Sequence, residues 1–350
     1  MPKVNFVKNA QFLCRNSSIQ NCAKGLAKPE KMCYNKRVAR HRAQKEAIMR
    51  IPSFSKTRML TPTAGERLTR HPAVVILCFL PVLLLSEEGR SLFLSVVTGL
   101  ISPAPDRHVT LLLSLFATVV TVGVVLLYCL AIERRSPLSL GFSGRNAFTE
   151  YTGGLAGGLL LFGFPVLLCL LTGTLTLSLP SSSPKWGLIL LFLVGFLIQG
   201  LSEELLCRSY LMVSLSRGLP TWVCVTVNAL LFSLLHFGNP NVSALALVNI
   251  LLFGLFASLL TLRRGSIWMV AGLHSMWNFA QGNLFGIPVS GLDGLPSPLT
   301  SQMADGGWQT LLNGGSFGLE GGLAVTVVLI LACGVAMLMP TKKNEIADEH

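Results

Sequence analysis

Eight apolar stretches dominate the chain, at residues 73–101, 109–132, 151–175, 186–216, 221–237, 242–262, 266–286 and 323–339. A helix needs about 20 apolar residues to cross the ~30 Å hydrocarbon core of a bilayer. Such helices satisfy their own backbone groups where no water is present. Composition agrees: 51% of residues are hydrophobic and 13% charged, against about 25% charged in a soluble domain. The fold expected is all-α, a polytopic membrane helical bundle of about eight transmembrane helices with the lipid bilayer as its first partner. The first stretch is ambiguous. Ser86-Glu87-Glu88-Gly89-Arg90 interrupts it and Pro81 should kink it, so it reads as one crossing or as a short span plus an interfacial helix. The third carries Gly153, Gly154, Gly157 and Gly158, a stripe of small residues that lets another helix approach closely.

The formal net charge of +12 is concentrated at one end. Residues 1–70 hold 16 Lys and Arg against 3 Asp and Glu, which leaves the remainder near neutral. This segment is expected to be a basic, disordered cytoplasmic tail. Clusters such as KRVARHR at 36–42 could touch anionic lipid or, less specifically, nucleic acid. A long transit peptide, or translation starting at Met49 or Met59, would also fit. Cys14, Cys22 and Cys33 lack zinc-knuckle spacing. Residues 71–340 form the transmembrane domain and 341–350 a short polar cytoplasmic tail. Lys and Arg mark cytoplasmic loops. With eight crossings the N-terminal tail, Arg134, Arg135, Arg145, Arg217, Arg263, Arg264, Lys342 and Lys343 all fall on one side, opposite Arg107 and Lys185. Both termini are therefore expected in the cytoplasm.

Ionisable residues inside spans are costly and each needs a reason. The later spans contain Glu203, Glu204, Arg208, Asn228, His236, Asn249, His274 and Asn278. At 1.5 Å per residue, an antiparallel hairpin puts Glu203 and His236 at one depth, about 25 Å from their connecting turn. The next hairpin puts Asn249 and Asn278 roughly 21–23 Å from theirs. His274 and Arg208 lie about a turn lower. Polar residues of four helices thus share one band. Glu204 and Arg208 are four apart and can form an ion pair along the helix. His274 and Asn278, also four apart, share a face. Glu203 points about 100° away from Glu204 and has no cation in its own neighbourhood. A lone core histidine is commonly structural; two at similar depth beside a spare carboxylate suggest chemistry. Asn249 is expected to hydrogen-bond across helices, and Asn228 to support the site or do nothing.

The motifs EExxxR (Glu203, Glu204, Arg208), FxxxH (Phe232, His236) and HxxxN (His274, Asn278) occur in that order, within core residues 186–286. This pattern resembles the CPBP family, the type II CAAX prenyl endopeptidases and bacteriocin-processing or immunity proteins, also called the Abi family. PLSLGF at 137–142, HFGNPN at 236–241, GSIWMVAGLHSMWNF at 265–279 and GGSFGLEGG at 314–322 look like bacterial members. The resemblance covers about residues 130–340 and implies an intramembrane endopeptidase of a bacterial cytoplasmic membrane, acting on a membrane-associated peptide or protein. It implies catalytic roles for Glu203, His236, His274 and Asn278: Glu203 as general base on a water shared with His236, and His274 and Asn278 as oxyanion donors. Glu204, Arg208 and Asn249 take supporting roles. No cofactor is needed by this scheme. A zinc-dependent version held by His236, His274 and Glu203 stays open, although no HExxH occurs. The rival of another class is a non-catalytic immunity or scaffold protein using the same polar cavity. A proton-coupled transporter is weaker still, since no inverted repeat is evident.

Overall fold

The computed structural model describes residues 58–60, 71–144 and 146–341. Most of the basic tail, its cysteines, Met49 and the KRVARHR cluster lie outside the described residues, as do Arg145, Lys342 and Lys343. One stretch of the expected tail is ordered against the domain. Arg58–Leu60 form a short 3-10 turn in which Met59 is buried, packed on Gly141, and Arg217 donates to the Leu60 carbonyl.

The chain runs through α1 (Pro72–Leu100), α2 (Arg107–Ile132), α3 (Ala147–Leu171), β1 (Leu175–Ser178), α4 (Trp186–Leu215), α5 (Thr221–Leu234), α6 (Ala244–Arg264), α7 (Trp268–Phe279), β2 (Thr300–Met303), α8 (Gly307–Asn313) and α9 (Leu323–Leu338). All eight apolar stretches are helical. Helices α1, α2, α3, α4 and α6 are long and apolar enough to cross a membrane. Helices α5 and α9 have 14 and 16 residues, and α7 has 12 followed by five more in π turns at Ala280–Leu284, in each case only about 21–25 Å of helix. Their remaining path is irregular chain, which membrane depth tolerates only inside protein or beside a cavity. That condition is met: the turn after α5 and the segment between α7 and α9 both border one cavity.

The first apolar stretch is not divided. Helix α1 runs 29 residues without a break through Pro81 and Ser86–Arg90. Ser86 turns its hydroxyl back onto the Val82 carbonyl at 2.8 Å, so its polarity is absorbed by its own helix. A small antiparallel ribbon, with Leu175 opposite Met303 and Ser178 opposite Thr300, departs from the all-helical expectation. It ties the end of α3 to the segment after α7. Arg107 at the start of α2 pairs with Asp293 in that segment, which holds the Asp293 carboxyl below its usual range.

The glycine stripe of α3 meets α7. A Cβ at Gly154 would lie 2.2 Å from the Met269 carbonyl oxygen, and one at Gly158 would lie 2.3 Å from that of Leu273. Gly272 answers from α7, where a Cβ would lie 2.3 Å from the Tyr151 carbonyl oxygen. On the other side, a Cβ at Gly200 of α4 would lie 2.4 Å from Ser275 Oγ. Helix α7 is thus held at near-backbone contact by both α3 and α4. Gly153 and Gly157 meet only side-chain ends of α7, at 3.8 Å. Helix α6 is stopped at both ends by local chemistry: Ser243 accepts from the Ala246 N–H, and Gly265 adopts the left-handed conformation its C-cap needs.

The Lys and Arg bias predicts cytoplasmic loops at 133–149 and 263–265. Single cysteines introduced there on a cysteine-free background should be labelled by a membrane-impermeant reagent only from the cytoplasmic side. A C-terminal tag reached from outside intact cells would change the number of crossings by one.

Candidate active site

Helix α4 delivers four polar side chains in two i, i+4 pairs on adjacent faces. Gln199 and Glu203 share one face, Glu204 and Arg208 the other. Immediately after Glu204 the helix widens into π turns from Leu205 to Met212, and α7 does the same from Ala280 to Leu284. Such local widening is uncommon and tends to occur at functional sites.

The Glu204–Arg208 pair is formed and sealed. Arg208 Nη1 donates to Glu204 Oε1 at 3.0 Å, and both side chains are 0% exposed. The guanidinium also lies 4.3 Å from the centre of the Phe232 ring of α5 and donates to the Gly254 carbonyl of α6 at 3.5 Å. A planar cation stacked on an aromatic face and bonded to a carboxylate is well suited to burial. Glu203 is placed differently, with 30% of its side chain exposed.

His274 of α7 links the two acids. Its Nδ1 lies 2.8 Å from Glu204 Oε1. An ionised carboxylate paired with arginine only accepts, so Nδ1 carries the proton and donates. Nε2 then faces Glu203 Oε2 at 3.8 Å. Glu204 thus serves His274 as well as the Arg208 that its spacing pointed to. Asn278, one turn further along α7, donates from Nδ2 to Gln199 Oε1 at 3.0 Å, and Gln199 donates in turn from Nε2 to Glu203 Oε1.

His236 is not on a helix. α5 ends at Leu234, and His236 occupies the turn that follows. Its ring lies 2.8 Å from the Phe232 carbonyl through Nδ1; a carbonyl only accepts, so Nδ1 donates and Nε2 keeps its lone pair. The Phe232 ring packs on both imidazoles, with centroids 4.9 Å from His236 and 6.1 Å from His274. The motif phenylalanine therefore orients both histidines as well as the arginine.

Asn249 does not join this group through its amide. Its Nδ2 donates to the Glu320 and Gly322 carbonyls at 2.8 and 2.9 Å, and its Oδ1 accepts from Thr326 at 2.7 Å. It fastens α6 to the start of α9. Asn228 donates to Ser258 at 2.9 Å, between α5 and α6.

Glu203, His236, His274 and Asn278 all border one cavity of about 540 Å³. Among the further polar residues that line it and that sequence reasoning left aside are Glu87 and Arg90 of α1, Gln199, and Glu320. Gln199 carried a signal, an amide inside a span one turn before the motif. Glu87 and Arg90 had been read as an interruption; they form an ion pair at 2.8 Å on the cavity wall. Glu320 belonged to a flanking loop. It accepts from Trp277 Nε1 at 3.0 Å, from the Ser290 N–H at 2.8 Å and from the Ser290 hydroxyl at 2.7 Å. Glu87 and Glu320 are thus further acids on the wall of the cavity that Glu203 borders. Among the described residues, no group of three His, Cys, Asp or Glu side chains is placed to hold a metal ion. The set suggested for zinc, His236, His274 and Glu203, does not converge in that way.

A helical membrane bundle with buried carboxylate, imidazole and amide groups around a cavity defines a class of intramembrane site. The comparison is more specific: residues 185–280 match the family model of type II CAAX prenyl endopeptidase, Rce1-like, which supports the resemblance to the CPBP family. The matched segment runs from the start of α4 to the end of α7 and contains all three motifs. No curated protein and no solved structure matches the chain.

Proposed function

We propose that the protein is an intramembrane endopeptidase that hydrolyses a peptide bond in a membrane-associated peptide or protein by glutamate-activated water. The observation that carries this reading is the state of Glu203. Its Oε1 is anchored by Gln199, while its Oε2 is buried with no hydrogen-bond partner among the described residues, on a side chain that lines the cavity. A general base needs such an oxygen, held in place by its twin and left without a partner of its own beside a cavity that can supply water.

In this scheme a water lies between Glu203 Oε2 and the lone pair on His236 Nε2. Glu203 takes the water proton as the hydroxide oxygen attacks the scissile carbonyl carbon. The N–H of Asn278 that Gln199 does not use stabilises the oxyanion, together with His274 as an imidazolium, whose Nδ1–H stays on Glu204 while its Nε2–H is donated to the oxyanion. Loss of one such donor typically costs about 3–4 kcal/mol. The intermediate collapses as the C–N bond breaks and Glu203 returns the proton to the leaving amine. Glu204 and Arg208 hold His274 in register from behind. A scaffold or immunity protein would need no buried carboxylate oxygen left without a partner, which favours the enzyme. The family description makes a prenylated CAAX peptide the first substrate to test, and the flanking sequences favour a bacterial cytoplasmic membrane.

The side-chain placement supports a reaction without metal. Purified active protein is expected to contain less than one metal per chain and to keep its activity through prolonged strong chelation. Elemental analysis beside chelation and readdition checks this. One zinc per chain, with activity lost on chelation and restored by zinc, would overturn the mechanism and leave the protease assignment standing.

A further inference from the structure

Gln199 joins two groups that the proposed chemistry uses on opposite sides of the scissile bond. Its Nε2 donates to Glu203 and its Oε1 accepts from Asn278 Nδ2 at 3.0 Å. The orientation is forced. A carboxylate only accepts, so Nε2 must face Glu203; that turns Oε1 towards Asn278, which can answer only with an N–H. The primary amide is planar and rigid. Its two ends therefore fix the separation of the carboxylate from the asparagine amide. One N–H of Asn278 is consumed in this way and the other is directed by it. The bridge can form only because α4 and α7 meet closely at this level, where Gly200, the next residue, lies against Ser275.

We propose that Gln199 is a positioning residue that bridges the general base Glu203 and the oxyanion donor Asn278, so that water attack and oxyanion stabilisation stay aligned. The inference rests on the proteolytic reading of the site. Gln199 touches neither the water nor the scissile carbonyl in this scheme. It acts through its two neighbours, and its loss should appear in kcat rather than in KM. A glutamine that merely glues two helices together would appear in stability instead.

The test uses the full-length chain in proteoliposomes, with a fluorescence-quenched peptide ending in a prenylated CAAX box as probe. Gln199→Met keeps the length of the side chain and removes its amide. Its kcat is expected to fall roughly 10- to 100-fold, the size of effect that a misplacement of about 1 Å produces. KM should stay within about twofold and the melting temperature should hold. Asn278→Ala should also be slow, and the double variant should be no slower than the worse single one, because residues acting as a unit are not additive. A second readout needs no turnover. The Glu203 carboxylate band in difference infrared spectra, identified by its loss in Glu203→Gln, should shift in Gln199→Met. Wild-type kcat in Gln199→Met beside an inactive Glu203→Gln would overturn the bridge alone, as would an unmoved carboxylate band. Wild-type turnover by Glu203→Gln would instead overturn the general base, and with it any role for the bridge in this reaction.

Discussion

Glu203→Gln is expected to abolish turnover while leaving the fold intact, and Glu204→Gln is expected to do something different. The glutamine at 203 keeps the size of the side chain and an oxygen beside Gln199 but has no basic oxygen to offer water. Loss of a general base costs about 10²- to 10⁴-fold. The side chain lies on the cavity wall, so little packing changes. Glu204 is sealed at 0% exposure between Arg208 and His274. Its replacement by glutamine leaves a buried guanidinium without a counter-charge. Breaking a buried pair in this way typically costs about 3–5 kcal/mol, a large part of the ~5–15 kcal/mol that holds a typical domain together. Some turnover should be lost as well, since Glu204 also fixes Nδ1 of His274. Melting curves in detergent and cleavage assays on both variants separate the two roles. Equal loss of turnover with equally unchanged melting would sink the division of labour between adjacent acids.

The second large effect is expected far from any catalytic group. Gly158→Val should prevent stable folding, because its Cβ would lie 2.3 Å from a backbone oxygen, that of Leu273. A side chain can rotate out of the way, but a helix carbonyl cannot move without its helix. α3 and α7 would have to separate by about 1 Å, and overpacking of this kind costs at least the usual ~1–3 kcal/mol. His274 follows Leu273 directly and Asn278 is one turn on, so any protein that folds should have lost turnover too. Gly163→Ala on the same helix is the control. A Cβ there meets nothing within 4 Å, and the variant should melt and cleave like the parent. A folded, active Gly158→Val would show that the close approach of α3 and α7 does not set the site.

The sequence by itself determined what single helices can express. Length and apolarity marked eight helical stretches, and three motifs in order led to the resemblance that the family model supports over residues 185–280. Four-residue spacing foretold the Glu204–Arg208 pair and the shared face of His274 and Asn278. Each of these follows from the rise and turn of one helix, which a local pattern encodes. Depth counting also brought Glu203 and His236 to one cavity, although it kept His236 on a helix that in fact ends at Leu234. Tertiary structure decided which faces meet. The glycine stripe announced a close neighbour without naming α7. Ser86–Arg90 looked like a break in a span, yet Ser86 satisfies itself against Val82 while Glu87 and Arg90 find a cavity wall. Glu320 lies 43 residues from Trp277 in sequence and 3.0 Å from it in space. The Gln199 bridge exists because α4 and α7 touch at Gly200. A spacing rule acts along one helix, whereas a hydrogen bond between helices depends on how closely and at what rotation two of them pack. That is set by many small contacts at once, and no single stretch of the chain records it.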